Sequence, residues 1–161
     1  MLTPHQLLER VPVQSCAAET VASCRSAIRR ILTGDDNRLL VIAGPCSIHD
    51  ASAAQDYAER LTELARGVDD RLLLVMRTYL EKPRTTIGWR GFLDDPALDG
   101  SCDMEAGLTE ARLLLTRLNG AGVPCATESL DPLLAPYLQD LVSWTALGAR
   151  TSESQVHRAM A

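Results

Sequence analysis

Six residues stand where they could do chemistry together: Arg77, Lys82, Arg84, Arg150, Cys46 and Glu128. Each falls in or just past a short apolar run. The chain is acidic, with a net charge of -5, so cations gathered at one spot point to a small bound dianion. A guanidinium matches phosphate or carboxylate with a two-pronged fork. Lys82 adds a movable point charge that can also donate a proton. The plainer reading of each cation is a surface ion pair with a nearby carboxylate.

Cys46 follows Gly44-Pro45 directly. Three readings are open for it: a ligand to a soft or borderline metal, a nucleophile, or a buried structural thiol. Glu128 is either a functional carboxylate or a partner for one of the arginines. The other polar residues read more plainly. His49 orients a loop, and Asp50 is a turn or cap residue. Asp94, Asp95 and Asp99 are solvated, and His157 lies on a helix surface. Cys125 is structural, and Cys16, Cys24 and Cys102 carry no signal.

The elements that must hold these residues follow from local pattern. Thr3-Pro4-His5-Gln6 is a capping box with proline at the first helical position, which predicts a helix over Pro4 to Arg10. Val21, Cys24, Ile28, Ile31 and Leu32 share one helical face, which predicts a second helix from Ala17 to Thr33, stopped by Gly34. Residues 1–38 therefore form an N-terminal helical extension. Beyond it the pattern alternates. LLVIA (39–43) and LLLVM (72–76) are apolar runs of the length of buried parallel strands. Val123–Thr127 and Trp144–Leu147 are weaker strands. Helices are predicted from a Ser52…Gln55 capping box to Arg66, through Leu108, Ala111, Leu115 and Leu118 to Gly120, within Pro132–Leu141, and after a Ser152…Gln155 cap.

Four βα units in tandem give a parallel sheet with right-handed crossovers. Either a doubly wound open sheet or a (β/α)8 barrel fits. The polar clusters decide between them, because every one lies past the C-terminal end of a strand, where barrel enzymes build their sites. An open sheet would gather them at one switch point, and there is no GxGxxG or GxxxxGK[ST] phosphate loop. The fold class is thus α/β of the TIM (β/α)8-barrel family. Residues 39–161 are its first half, since a full barrel takes roughly 250 residues.

Composition excludes other classes. The chain has 161 residues, of which 46% are apolar, which makes it globular. Its acidity argues against nucleic-acid or anionic-membrane partners. No apolar run approaches the roughly 18 residues of a membrane span. The start, MLTPHQLLERVP, lacks a secretory signal pattern. Five cysteines without a CxxC pair read as reduced thiols of a cytoplasmic protein.

Three segments together carry a family resemblance: Gly44-Pro45-Cys46-Ser47-Ile48-His49-Asp50, the run Arg77-Thr-Tyr-Leu-Glu-Lys82-Pro83-Arg84-Thr85-Thr-Ile-Gly-Trp89, and Gly148-Ala149-Arg150-Thr-Ser-Glu-Ser-Gln-Val-His157-Arg158. In this order they resemble the signature segments of type I 3-deoxy-7-phosphoheptulonate (DAHP) synthases, from about Leu7 to the last residue. The related octulosonate synthases share the barrel but lack the KPRTT-x-GW segment.

The resemblance implies condensation of phosphoenolpyruvate with erythrose 4-phosphate and water, with release of phosphate, at the start of the shikimate pathway. It implies a divalent metal such as Mn, Fe or Co, with Cys46 as a ligand. It implies that Arg77, Lys82, Ala149 and Arg150 hold phosphoenolpyruvate with Glu128 close by, and that Lys82 passes a proton near the enol carbon. Pro83, Arg84 and Thr85 then meet erythrose 4-phosphate, and the full-length enzyme is a homo-oligomer. The family's other metal ligands, a His, a Glu and an Asp, match nothing within these residues, whereas a catalytic metal needs about three protein ligands. The chain alone is therefore expected to be inactive. Its open outer strands predict self-association. The alternative is a non-catalytic half-barrel that binds phosphates or pairs with a complementary half.

Overall fold

A computed structural model describes residues 2–84 and 86–160. Its order is α1 (Pro4–Arg10), α2 (Ser15–Thr33), β1 (Leu39–Ala43), α3 (Ala51–Arg66), β2 (Leu72–Arg77), α4 (Met104–Gly120), β3 (Cys125–Ser129), α5 (Ala135–Leu138), β4 (Trp144–Leu147) and α6 (Gln155–Met160). The strands form one parallel sheet in the order β1-β2-β3-β4. Their registers step. Leu39 pairs with Leu72, but β3 begins pairing only at Met76↔Cys125, near the end of β2. Such stagger accompanies strand tilt in a closed barrel, and the sheet is a half-barrel with helices.

Alternation along each strand sends side chains to two faces. Leu74, Met76 and Cys125 join the larger core, which includes Ala54, Ala58 and Leu61 of α3 and Leu108, Leu115 and Leu118 of α4. Leu40, Ile42, Leu73, Val75, Ala126 and Trp144 join Cys24 and Ile28 of α2. With helices on both faces, the strands read as continuous apolar runs rather than alternating ones.

Local signals set α1 as predicted. Thr3 Oγ1 accepts from the Gln6 amide and the Gln6 side chain accepts from the Thr3 amide. Gly34 ends α2 at φ 82°. Other boundaries moved. Helix α2 starts at Ser15 rather than Ala17. The cap of α3 is Asp50, whose carboxylate accepts from the Ala53 amide at 2.9 Å, so the Ser52 box does not form. Pro136 lies in the first turn of α5, where proline is tolerated. Helix α6 is preceded by Ser154, not capped by Ser152.

The largest shift is β3, which runs from Cys125 to Ser129. Val123 is spent on closing α4, where its amide donates to the Leu118 carbonyl. The polar residues Thr127, Glu128 and Ser129 are strand because β4 pairs with them. No helix among the described residues is long and apolar enough to cross a membrane.

Candidate functional site

The site begins where β1 and β2 leave the sheet side by side. A Cβ on Gly44 would lie 2.6 Å from the Arg77 carbonyl oxygen and 2.9 Å from its Cβ, so only glycine lets the two exits pass. The Ile48 amide then donates to the Tyr79 carbonyl at 2.8 Å. This packing brings Cys46 under the β2 loop. Arg77 Nη2 donates to the Cys46 carbonyl at 3.2 Å, and Lys82 Nζ lies 3.1 Å from Cys46 Sγ. The Arg77 guanidinium stacks 3.9 Å from the centre of the Tyr79 ring, and its Nε is buried without a partner. From the β4 side, Arg150 Nη1 donates to the Pro83 carbonyl at 3.3 Å.

Cys46, Arg77, Lys82, Pro83 and Arg150 are therefore linked, from three loops. None of Arg77, Lys82, Arg84 or Arg150 forms an ion pair with a carboxylate among the described residues. The charge of these cations is therefore not neutralised by a carboxylate among the described residues. Cys46 is exposed. The Lys82 hydrogen bond, then its charge, with Arg77 and Arg84 adding less, holds the thiol below its ordinary pKa. The structural-thiol reading of Cys46 is thereby set aside. Arg84 is exposed beside Gly88, near the site but not bonded into it. Ala149 opens a 3-10 turn, exposed, next to Arg150. Thr85 lies outside the described residues.

Glu128 sits within β3, not after it. Its Oε1 points toward Gly148, where a Cβ would lie 3.1 Å away. It lines a cleft with Glu81, Thr127 and Leu147, whereas Lys82, Pro83 and Arg84 line a separate, smaller one. Glu81 borders both, although nothing in its residue type or spacing singles it out. Its two carboxylate oxygens accept from the Leu130 and Asp131 amides, each at 3.2 Å. Burial nonetheless pushes its pKa up to about 7.

Two expectations fail here. His157 is not on the surface. It is buried, with Nε2 against the Leu130 carbonyl at 3.1 Å and Nδ1 against Ser154 Oγ at 2.8 Å. A carbonyl only accepts, so Nε2 carries the proton. Asp95 is not solvated either. It is buried, with Oδ2 accepting from the Gly100 amide and its carbonyl accepting from the Trp89 indole at 2.7 Å. It thereby folds the 91–103 loop back on itself. Asp94 is mostly covered and faces Arg90 at 3.8 Å, while Asp99 is exposed as expected.

A metal does not fit the residues present. Among the described residues no group of three or more His, Cys, Asp or Glu side chains could hold one. The neighbour of the Cys46 sulfur is a cation. What the arrangement can do is bind a phosphate or carboxylate between Arg77, Lys82 and Arg150 and offer it a proton from Lys82.

Comparison with known proteins bears on the family and the fold. The model of the DAHP synthetase I family matches residues 12–161. The chain is 52% identical to the Trp-sensitive phospho-2-dehydro-3-deoxyheptonate aldolase of Enterobacter agglomerans, over 100% of this chain and 46% of that protein. It is 53% identical to the Tyr-sensitive enzyme of Salmonella typhimurium, over 100% of this chain and 45% of that protein. The solved phospho-2-dehydro-3-deoxyheptonate aldolase of Francisella tularensis SCHU S4 superposes with a TM-score of 0.96 at 46% identity, covering 99% of this chain and 47% of that one. The chain thus spans about half the length of the curated relatives it matches.

Proposed function

This chain belongs to the DAHP synthetase I family, and we propose that it supplies the phosphoenolpyruvate-holding part of a synthase site. The reaction joins C3 of phosphoenolpyruvate to the aldehyde carbon of erythrose 4-phosphate. The aldehyde oxygen takes a proton, water adds at C2 of the enolpyruvyl unit, and inorganic phosphate leaves. The product is 3-deoxy-D-arabino-heptulosonate 7-phosphate, the first intermediate of the shikimate pathway.

The observation that carries the proposal is the convergence of Arg77, Lys82 and Arg150 on Cys46 and Pro83, with no carboxylate among the described residues paired to them. Phosphoenolpyruvate is a compact polyanion. Fixed guanidinium forks suit its carboxylate and phosphate, and they offset the negative charge that collects on phosphate as its bond to C2 breaks. Lys82 would move a proton near the enol carbon. Pro83 and Arg84, with Thr85 next in sequence, are assigned to erythrose 4-phosphate; Ala149 lies beside Arg150 and Glu128 lines the neighbouring cleft.

A divalent ion belongs to this proposal for the whole enzyme. It would find Cys46 alone among the described residues, so no step is drawn through it. The five thiols are all free, which fits a cytoplasmic setting. Exposed Leu32, Leu39 and Leu133 offer apolar surface for the homo-oligomer we propose. Identities of 52% and 53% to a Trp-sensitive and a Tyr-sensitive relative do not separate the effectors.

The test is phosphate release from phosphoenolpyruvate, erythrose 4-phosphate and Mn2+. It is measured for this chain alone and with a polypeptide supplying the part of a relative that this chain does not span. Release that needs the added part and falls about a hundredfold or more in Arg77→Met or Arg150→Met supports the synthase. Absence of release from any mixture, with phosphoenolpyruvate still bound, supports a non-catalytic phosphate-binding half-barrel.

A further inference from the structure

Lys82 owes its position to a short extended segment that is gripped on two sides. On one side, the Lys82 amide donates to the Arg90 carbonyl at 2.9 Å and the Leu93 amide to the Leu80 carbonyl at 3.2 Å. They flank an antiparallel bridge between Glu81 and Gly91. Gly91 has φ 117°, and a Cβ there would meet the Leu80 carbonyl at 2.5 Å, so this side is closely packed. On the other side, the Glu81 carboxylate spans the Leu130 and Asp131 amides.

In an extended segment neighbouring side chains point opposite ways. Drawing Glu81 toward residues 130–131 therefore turns Lys82 toward Cys46. Leu130 is fastened at its carbonyl as well, by His157 Nε2. His157 in turn meets Ser154 Oγ, the Ser154 amide donates to the Thr151 carbonyl at 2.9 Å, and Thr151 Oγ1 donates to the Gly148 carbonyl at 2.7 Å. That last turn carries Arg150. One chain of contacts thus joins the loops of Lys82, Leu130 and Arg150.

The geometry points to Glu81 as a positioning residue for Lys82: its carboxylate, clasped on the Leu130 and Asp131 amides, holds the Lys82 ammonium against Cys46 and locks the three rim loops to one another. This deepens the reading of Lys82 as a substrate-holding group and rests on it for its functional meaning. The residue type follows from the job. Two amide N–H groups need two acceptors on one planar group, which a carboxylate has. A glutamine in the same place offers one acceptor and turns an N–H against the second amide.

The test needs no turnover, so it stands apart from the synthase assay. In Glu81→Gln, amide hydrogen exchange at Leu130 and Asp131 is expected to quicken about tenfold or more. Exchange at Thr78, whose amide donates into β3 at 2.7 Å, stays at the wild-type rate. In the same protein, alkylation of Cys46 by iodoacetamide at about pH 8, where Glu81 is ionised, read by peptide mass mapping, slows about threefold or more toward the rate of Lys82→Met, because the thiolate loses its cation. Alkylation of Cys16 is unchanged. If exchange quickens at Leu130 and Asp131 while Cys46 keeps its wild-type rate, Glu81 serves its own loop only and the proposal fails. It fails equally if exchange at those amides does not change. Should Thr78 exchange also quicken, marking a general loss of fold, Glu81→Asp gives the same two readings. It keeps the charge but is a methylene too short to reach both amides.

Discussion

The Lys82 ammonium lies 3.1 Å from the Cys46 sulfur, a cation from the β2 loop set against a thiol from the β1 loop. The contact lowers the pKa of Cys46. Cys102 is shifted the other way, first by desolvation and then by the Asp94 carboxylate. Both thiols are exposed. At pH 7.5 Cys46 is therefore expected to be alkylated faster than Cys102 by about tenfold. Lys82→Met should bring the two rates closer, as measured by timed iodoacetamide labelling and peptide mapping.

Arg112 is 1% exposed and makes four hydrogen bonds. It donates to the Val11 and Tyr137 carbonyls and, through both terminal nitrogens, to Asp140 at 2.8 Å. It therefore ties the link between α1 and α2 to α4 and α5. Arg112→Met strands two buried carbonyls and is expected to cost about 3–5 kcal/mol in urea unfolding. Asp140→Asn keeps the shape and should cost less.

Two glycines of α4 are expected to respond oppositely to alanine. At Gly107 a Cβ would clash with the Leu93 carbonyl oxygen, which is backbone and cannot yield. Gly107→Ala should destabilise by about 2 kcal/mol or more and loosen the 91–103 loop. At Gly120 the nearest atom is Cys16 Sγ at 3.8 Å, so Gly120→Ala should be neutral or stabilising by about 0.5 kcal/mol. Thermal melts of the two variants against wild type check both.

Glu81 should make stability fall as pH rises. Its folded pKa is pushed up to about 7 from 4.5. Between those values the folded chain holds a proton that the unfolded chain has released. The contribution is fully present below about pH 4.5 and lost by about pH 7, on the order of 2–3 kcal/mol at most. Urea midpoints at pH 5 and pH 8 should differ in wild type and differ less in Glu81→Gln. Asp36 works in the opposite sense and a different window. Hydrogen bonds from Arg38 draw it down to about 2, so its contribution is present above about pH 4 and is lost on further acidification.

Much of the architecture was legible because its signals are local. The Thr3–Gln6 capping box, Pro4 and Gly34 act within one turn of chain and fixed α1 and the end of α2. LLVIA and LLLVM are apolar enough to be buried on both faces whatever packs there. The cations Arg77, Lys82 and Arg150 stood out because charge past a strand end is unusual and visible in the primary sequence.

What the sequence could not show depends on partners far along the chain. Glu81 reads as one more acid beside a lysine until Leu130 and Asp131 present their amides to it. His157 looked like surface until the Leu130 carbonyl, 27 residues away, met its ring. Glu128 and Ser129 look like loop residues, and only β4 pairing makes them strand. Residue type and spacing determined the elements and the chemistry on offer. The tertiary structure alone decided which polar groups are buried and clasped, because desolvation and hydrogen-bond geometry arise from through-space neighbours that the linear order does not specify.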